Sequence, residues 1–334
     1  MQSAQQWRTG PRSYFRRTWC GSLVCLLLSL SMSRLTFGQD AATEMPRDQS
    51  FTASDSMMTI SKQVDEVDLI FTVTDKKGRF VDDLQAADFH LLDNNRPPER
   101  VYNFQTRTDL PLVVALLVDI SSSIQHRFSY EQKAATMFLK NVLRPGMDRV
   151  SIISFGSHVQ EVQPMTEEMK QWSTGIQKLR PGGETALYDA IILGSQSLRS
   201  QAPSVLARRV MIILTDGVDT ASRANELDAY EAIAKSEAMV LVVDASIPSP
   251  YRKSEQPFFN NVTLFSGGTI VGAEENSELQ GAFRKIEKVL RTQYALSYKP
   301  SDFQADGSYR SIQLTSQNRK LIVHCRAGYY AQAR

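Results

Sequence analysis

Val113-Val114-Ala115-Leu116-Leu117-Val118-Asp119-Ile120-Ser121-Ser122-Ser123 decides how this chain is read. The apolar run does not alternate, as expected of a parallel strand covered on both faces. It ends in one carboxylate followed by hydroxyls at alternate positions, Ser121 and Ser123. Open α/β sheets place their ligands outside the carboxyl ends of the strands. Carboxylate and hydroxyl oxygens are hard donors that suit Mg²⁺, Mn²⁺ or Ca²⁺. Alone, the two serines fit helix N-caps equally well.

Two further segments end in the same way. Leu214-Thr215-Asp216-Gly217-Val218-Asp219 closes another apolar strand with an acid and a turn glycine. Gly182-Gly183-Glu184-Thr185-Ala186-Leu187-Tyr188-Asp189 is a glycine-rich turn opening a helix, with Thr185 at its start. The three loops together carry Asp119, Ser121, Ser123, Thr185 and Asp216. In that company the serines read as metal ligands, and Thr185 fits a ligand, a cap for the helix 186–200, or both. Asp219 reads as a solvated turn residue and Asp189 as a helix-surface or packing acid. Asp244, at the end of the strand 239–243, lies near the same sheet edge. Gly156 reads as a strand-end turn.

Around these loops the pattern is that of a doubly wound α/β domain. Near-continuous apolar strands at 149–155, 209–214 and 239–243 alternate with helical periodicity at 127–143, 166–179, 186–200, 224–237 and 278–292. The flanks are different. Short strands at 67–74, 89–92 and 101–104 precede the domain, and strands at 294–298, 309–314 and 321–325 follow it. Neither flank is long enough to bury a core of its own. The expected fold is α/β, a mostly parallel sheet inserted into a small split β-sandwich-like module. The divisions are 61–108, 109–292 and 293–334, with the last strands pairing back onto the first.

The N-terminus reads as an export signal. Arg8, Arg12, Arg16 and Arg17 precede the apolar run Cys20–Leu30, and small residues precede Gln39. That run is short for a membrane span. Residues 1–38 are the expected signal peptide, with a membrane contact only if it stays uncleaved, and 39–60 a polar leader. Removing 1–38 deletes five arginines and no acid, which takes the formal charge from +2 to −3. The basicity therefore belongs to export, and no nucleic-acid surface is expected. Cys20 and Cys25 leave with the signal. Cys325 remains alone in a strand and reads as a buried, inert thiol.

Several chemistries are not encoded. His90, His126, His158 and His324 are scattered and show no zinc-ligand spacing. No nucleophile elbow, dinucleotide-binding glycine motif or phosphate loop occurs. An aspartyl-phosphate mechanism wants a second acid where Ser121 stands. No enzyme is expected. The stretch 247–262, with Phe258 and Phe259, reads as an exposed loop, the aromatic pair either flanking the site or folded back into the core.

The set Asp119-x-Ser121-x-Ser123, Thr185 and Asp216 resembles the metal-ion-dependent adhesion site of von Willebrand factor type A domains. The resemblance covers the α/β stretch. Asp109-Leu110-Pro111 and Arg326–Ala331 resemble, on weaker motifs, the related proteins of Acidobacteria. It implies that Asp119, Ser121, Ser123, Thr185 and Asp216 hold a divalent cation, Mg²⁺ foremost. It also implies that the cation completes its shell with an Asp or Glu carboxylate of a protein partner, outside the cytoplasm of a bacterium. The competing expectation is an assembly scaffold whose metal site only stabilises the fold.

Overall fold

The computed structural model describes residues 66–106, 109–200, 207–246, 256–273 and 275–332. The expected signal peptide, the leader and the first part of the 247–262 stretch lie outside them.

The chain begins with β1 (Val67–Asp75), β2 (Phe89–Asp93) and β3 (Arg100–Thr106). The middle runs β4 (Leu112–Asp119), α1 (Phe128–Val142), β5 (Arg149–Phe155), β6 (Val159–Thr166), α2 (Met169–Lys178), α3 (Leu187–Arg199), β7 (Arg208–Thr215), α4 (Glu226–Ser236), β8 (Met239–Asp244), α5 (Gln256–Ser266), β9 (Thr269–Gly272) and α6 (Asn276–Arg291). It closes with β10 (Tyr294–Lys299), β11 (Tyr309–Ser316), β12 (Leu321–Cys325) and β13 (Gly328–Tyr330).

The central sheet has the order β6-β5-β4-β7-β8-β9. All neighbours are parallel except β5 and β6. Every residue of β4 is buried. Its side chains divide between two cores: Val114, Leu116 and Val118 pack with α1, α2 and α6, while Val113, Ala115 and Leu117 pack with α3, α4 and α5. That division is why the strand is apolar at both parities. The chain leaves β4 toward β5 and β6 on one side and returns through β7, β8 and β9 on the other. The order therefore reverses at β4, and a reversal opens a crevice at the carboxyl ends. Asp119 stands at that point.

The flanking strands build two smaller antiparallel sheets, β12-β1-β10-β3 and β13-β11-β2. β1 lies between β10 and β12, with Val67 opposite Tyr298 and Phe71 opposite Cys325. Each sheet thus mixes strands from before and after the α/β domain. Phe71, Phe89, Tyr294, Leu296, Ile312 and Leu314 share their core. A buried polar knot joins the same two stretches. The Asp93 carboxylate accepts from the Tyr298 hydroxyl at 2.7 Å, the Tyr329 hydroxyl at 2.9 Å and Arg310 Nε at 2.8 Å. Burial, with Asp93 beside it, holds the Tyr298 phenol well above its ordinary range.

Three elements depart from the sequence reading. β6 is an antiparallel edge strand where no strand was expected; Pro164 and polar residues mask its pattern. The second half of the 247–262 stretch is the start of α5, and Phe258 and Phe259 are core residues. β9 has four residues, too few for a periodic signal. Cys325 is only partly buried, and burial pushes its thiol up to about 11. Among the described residues, no helix is long and apolar enough to cross a membrane.

Asp93→Ala takes from the buried Arg310 one of its two carboxylate partners, leaving Asp302, and is expected to cost about 2 kcal/mol in urea unfolding. Tyr329→Phe removes one hydrogen bond and is expected to cost about 1 kcal/mol. Equal unfolding midpoints for Asp93→Ala and the wild type would show that the knot does not hold the halves together.

Candidate metal site at the carboxyl edge of the sheet

Asp119 has no exposure, and its carboxylate is satisfied from two sides. Oδ1 accepts the Ser121 N–H at 2.8 Å, and Oδ2 accepts the Thr215 hydroxyl at 2.6 Å. Burial is the main reason this carboxyl is pushed up to about 6. The bonds from Thr215 and Ser121 pull it back, and the nearby Asp216 charge pushes it further.

The hydroxyls form a chain. Ser123 Oγ donates to Asp216 Oδ1 at 2.8 Å, and Ser121 Oγ lies 2.9 Å from Ser123 Oγ. A hydroxyl has one proton. Ser123 gives its proton to Asp216, and the Ser121 hydroxyl, placed between Ser123 Oγ and the Asp119 carboxylate, has one proton for the two of them. Both serines then keep acceptor lone pairs for a cation. Neither caps a helix: the short turn at 122–124 and α1 have no side-chain cap from them. Thr185 is not a cap either, since α3 begins after Ala186 with no side-chain cap from that residue. A Cβ added at Gly217 would lie 3.4 Å from Thr185 Oγ1 and 3.6 Å from Asp119 Oδ2. The structure therefore brings all five expected residues into one crevice, with Ser123 on its exposed rim.

The loops are pressed together by backbone contact. Ser122 N–H donates to Gly183 O at 2.9 Å, and Gly183 N–H returns a bond to Ser122 Oγ at 3.0 Å. Gly183 has φ +96°, and a Cβ there would meet Ser157 Oγ at 2.6 Å. Gly156 is more than a strand-end turn, because a Cβ on it would meet Gly182 O at 2.8 Å. Asp244 stands at the sheet edge and accepts Ser246 N–H at 2.9 Å.

The donors fit a hard divalent ion better than a soft one. They are two carboxylates and three hydroxyls, with no imidazole or thiolate. Among the described residues no cluster of three or more His, Cys, Asp or Glu groups could hold a metal. Any metal here must lean on the serine and threonine oxygens.

Sequence reasoning missed Thr215, whose hydroxyl is the closest partner of Asp119. It also took Asp219 for a solvated residue and did not find the backbone groups that Asp219 and Asp189 hold. Asp219 is only partly exposed, and its Oδ1 accepts the N–H groups of Leu187 at 2.8 Å and Tyr188 at 3.3 Å. Asp189 accepts the N–H groups of Arg223 and Ala224, both at 3.0 Å. Behind the crevice, Arg127 reaches the ends of two strands, with Nη1 2.6 Å from Ala245 O and Nη2 2.9 Å from Ala273 O. Glu131 lies beside it, Oε1 at 3.5 Å from Arg127 Nε. Neither Glu131 oxygen has a hydrogen bond. A helical period places Glu131 one turn after Arg127, but only three-dimensional packing tells that both are buried.

Residues 114–218 match the family model of the von Willebrand factor type A domain. Those residues form such a domain, an α/β module with its polar crevice at the carboxyl edge of β4. The motifs of the flanks, at 109–111 and 326–331, lie outside the matched residues. No curated protein sequence matches the chain. Among solved structures, it is similar to a minor pilin, PilB, of Streptococcus sanguinis, with 16% identity over 59% of this chain and 63% of that one, TM-score 0.46. The chain thus spans a little under two thirds of that pilin. A von Willebrand factor type A protein of Catenulispora acidiphila shows 14% identity over 74% of each chain, TM-score 0.47. Proximal thread matrix protein 1 of the mussel byssus, with a zinc-occupied MIDAS motif, shows 16% identity over 55% of this chain and 49% of that one, TM-score 0.46.

Burial raises the Glu131 carboxyl from its model-compound value of 4.5 to about 8, against the pull of Arg127. A carboxyl raised in the folded state keeps its proton there after the unfolded chain has lost it, so stability falls as pH climbs from 4.5 toward 8. In metal-free protein, Glu131→Gln is expected to raise Tm at pH 9 and leave it nearly unchanged at pH 4. An equal shift at both pH values would show that this carboxyl does not change protonation on folding.

Proposed function

We propose that this protein is a non-enzymatic, metal-dependent protein-binding module that works outside the cytoplasm. A divalent cation, Mg²⁺ foremost with Mn²⁺ or Ca²⁺ as relatives, is held by Asp119, Ser121, Ser123, Thr185 and Asp216. The cation supplies a Lewis-acidic point at the crevice mouth, and an Asp or Glu carboxylate of a partner protein completes its shell.

The observation that carries this reading is the direction of the hydrogen bonds. The Asp119 carboxylate accepts from Ser121 and Thr215, and Asp216 accepts from Ser123. Both acids are engaged by the protein's own donors, a backbone N–H and the hydroxyls of Thr215 and Ser123, and the neutral oxygens of Ser121, Ser123 and Thr185 are left to face the ion. A cation met by neutral donors stays electrophilic, so an anionic ligand from outside improves its coordination. Four carboxylates would instead neutralise it. Ser123 on the exposed rim leaves that last position open to a partner, while Asp119 beneath it is sealed from water. The type A domain match is consistent with an interaction role. Export rests on the N-terminal sequence.

Titrating Mg²⁺, Mn²⁺ and Ca²⁺ into the wild-type protein is expected to raise Tm. A site on the folded state alone gains about 2.7 kcal/mol at a hundredfold excess over Kd. Ser123→Ala and Asp216→Ala are expected to lose most of the rise. A wild-type protein that responds to none of the three ions sinks the proposal. Partner capture that survives both chelator and Asp119→Ala would favour the scaffold reading instead.

A further inference from the structure

The acids that sequence reading set aside, Asp219 and Asp189, form a reciprocal clasp between the Thr185 loop and the loop that follows Asp216. α3 opens after Ala186, which has no side chain able to cap it. Its first two N–H groups, of Leu187 and Tyr188, are instead taken by Asp219 from the neighbouring loop, at 2.8 and 3.3 Å. In exchange, Asp189 in the first turn of α3 accepts the N–H groups of Arg223 and Ala224 at 3.0 Å. The geometry is that of a capping box whose two halves lie on different segments. Thr220 closes it. Thr185 N–H donates to Thr220 Oγ1 at 3.0 Å, and Thr220 N–H donates to Thr185 O at 2.8 Å.

We infer that Asp219 is a positioning residue for the metal site, acting through Thr185, and that Asp189 supports it from the other side of the clasp. Thr185 sits just before the capped turn, so the clasp fixes its backbone at both N–H and C=O. With the backbone fixed, Oγ1 has few places to go, and it borders Gly217 as Asp119 Oδ2 does. Side chains that orient metal ligands without touching the ion commonly govern affinity as strongly as a weak ligand does. Asp219 fits that role. Its carboxylate accepts the Ser222 hydroxyl at 2.5 Å as well as the N–H groups of α3, and a negative charge there also suits the positive end of the helix.

This inference rests on the proposed metal site, and the test separates the two. Mn²⁺ affinity is measured by calorimetry for the wild type, Asp219→Ala, Asp219→Asn, Thr185→Ala and the double variant Asp219→Ala/Thr185→Ala. Asp219→Ala is expected to weaken Mn²⁺ by about tenfold or more. Asp219→Asn keeps an acceptor oxygen and is expected to recover much of that loss. The double variant is expected to bind no more weakly than Thr185→Ala alone, because Asp219 has nothing left to position. Metal-free Tm, read on the same proteins, reports the purely structural cost, and there the two losses add. Unchanged Mn²⁺ affinity in Asp219→Ala overturns the inference while leaving the metal site standing. Additive losses in affinity overturn it too, since Asp219 would then act independently of Thr185. A wild-type protein that takes no Mn²⁺ overturns the proposed function and this inference together. Faster amide exchange at 185–189 in metal-free Asp219→Ala shows directly that the clasp holds that loop.

Discussion

A carboxylate with no access to water sits at the end of a strand with no access to water. Leaving such a charge without partners costs far more than most side-chain contacts return. Asp119 therefore needs donors, and the neighbourhood is arranged to supply them. The loop turns back at once, so that Ser121 N–H reaches one oxygen, and β7 ends in a threonine whose hydroxyl reaches the other. The reversal of strand order at β4 makes this possible, because it puts the ends of β4 and β7 side by side with no helix between them. The crevice follows from the topology, and its polarity follows from the need to satisfy one acid.

That arrangement also divides labour among the oxygens. The two carboxylates accept, and the donors they take are a backbone N–H and two hydroxyls. A cluster built only of acids would repel itself. This one is internally bonded. The raised Asp119 carboxyl reflects the same balance between burial and partners.

Much of this was legible before any coordinates. The apolar run of β4 announced a doubly covered strand because both parities had to be apolar, and two polar strand ends with one glycine-rich helix start announced the crevice, because α/β sheets bind ligands outside such strand ends. The flanking strands could be paired across the domain only because neither set was long enough to stand alone. What stayed hidden has physical reasons. β6 carries a proline and glutamines because an antiparallel edge strand has one side in solvent. Phe258 and Phe259 belong to a helix whose start follows a polar stretch, so their segment looked like loop. Asp219 and Asp189 looked like surface acids because most of their partners are backbone N–H groups, which leave no mark in a side-chain pattern. Arg127 and Glu131 likewise have the spacing of an ordinary exposed pair.

The placement of β1 bears on the order in which the molecule can be made. It lies in the middle of its sheet, yet both its neighbours, β10 and β12, come after the whole α/β domain. As the chain emerges from its N-terminus, β1 lacks both of its neighbouring strands and has only a short local bridge between Thr74 and Phe80. The α/β domain, whose strands mostly meet neighbours close in sequence, can close first and bring the two ends of its own segment together. Only then does the waiting strand gain partners. Until β10 and β12 are made, the edges of β1 stay open to any other extended segment that meets them.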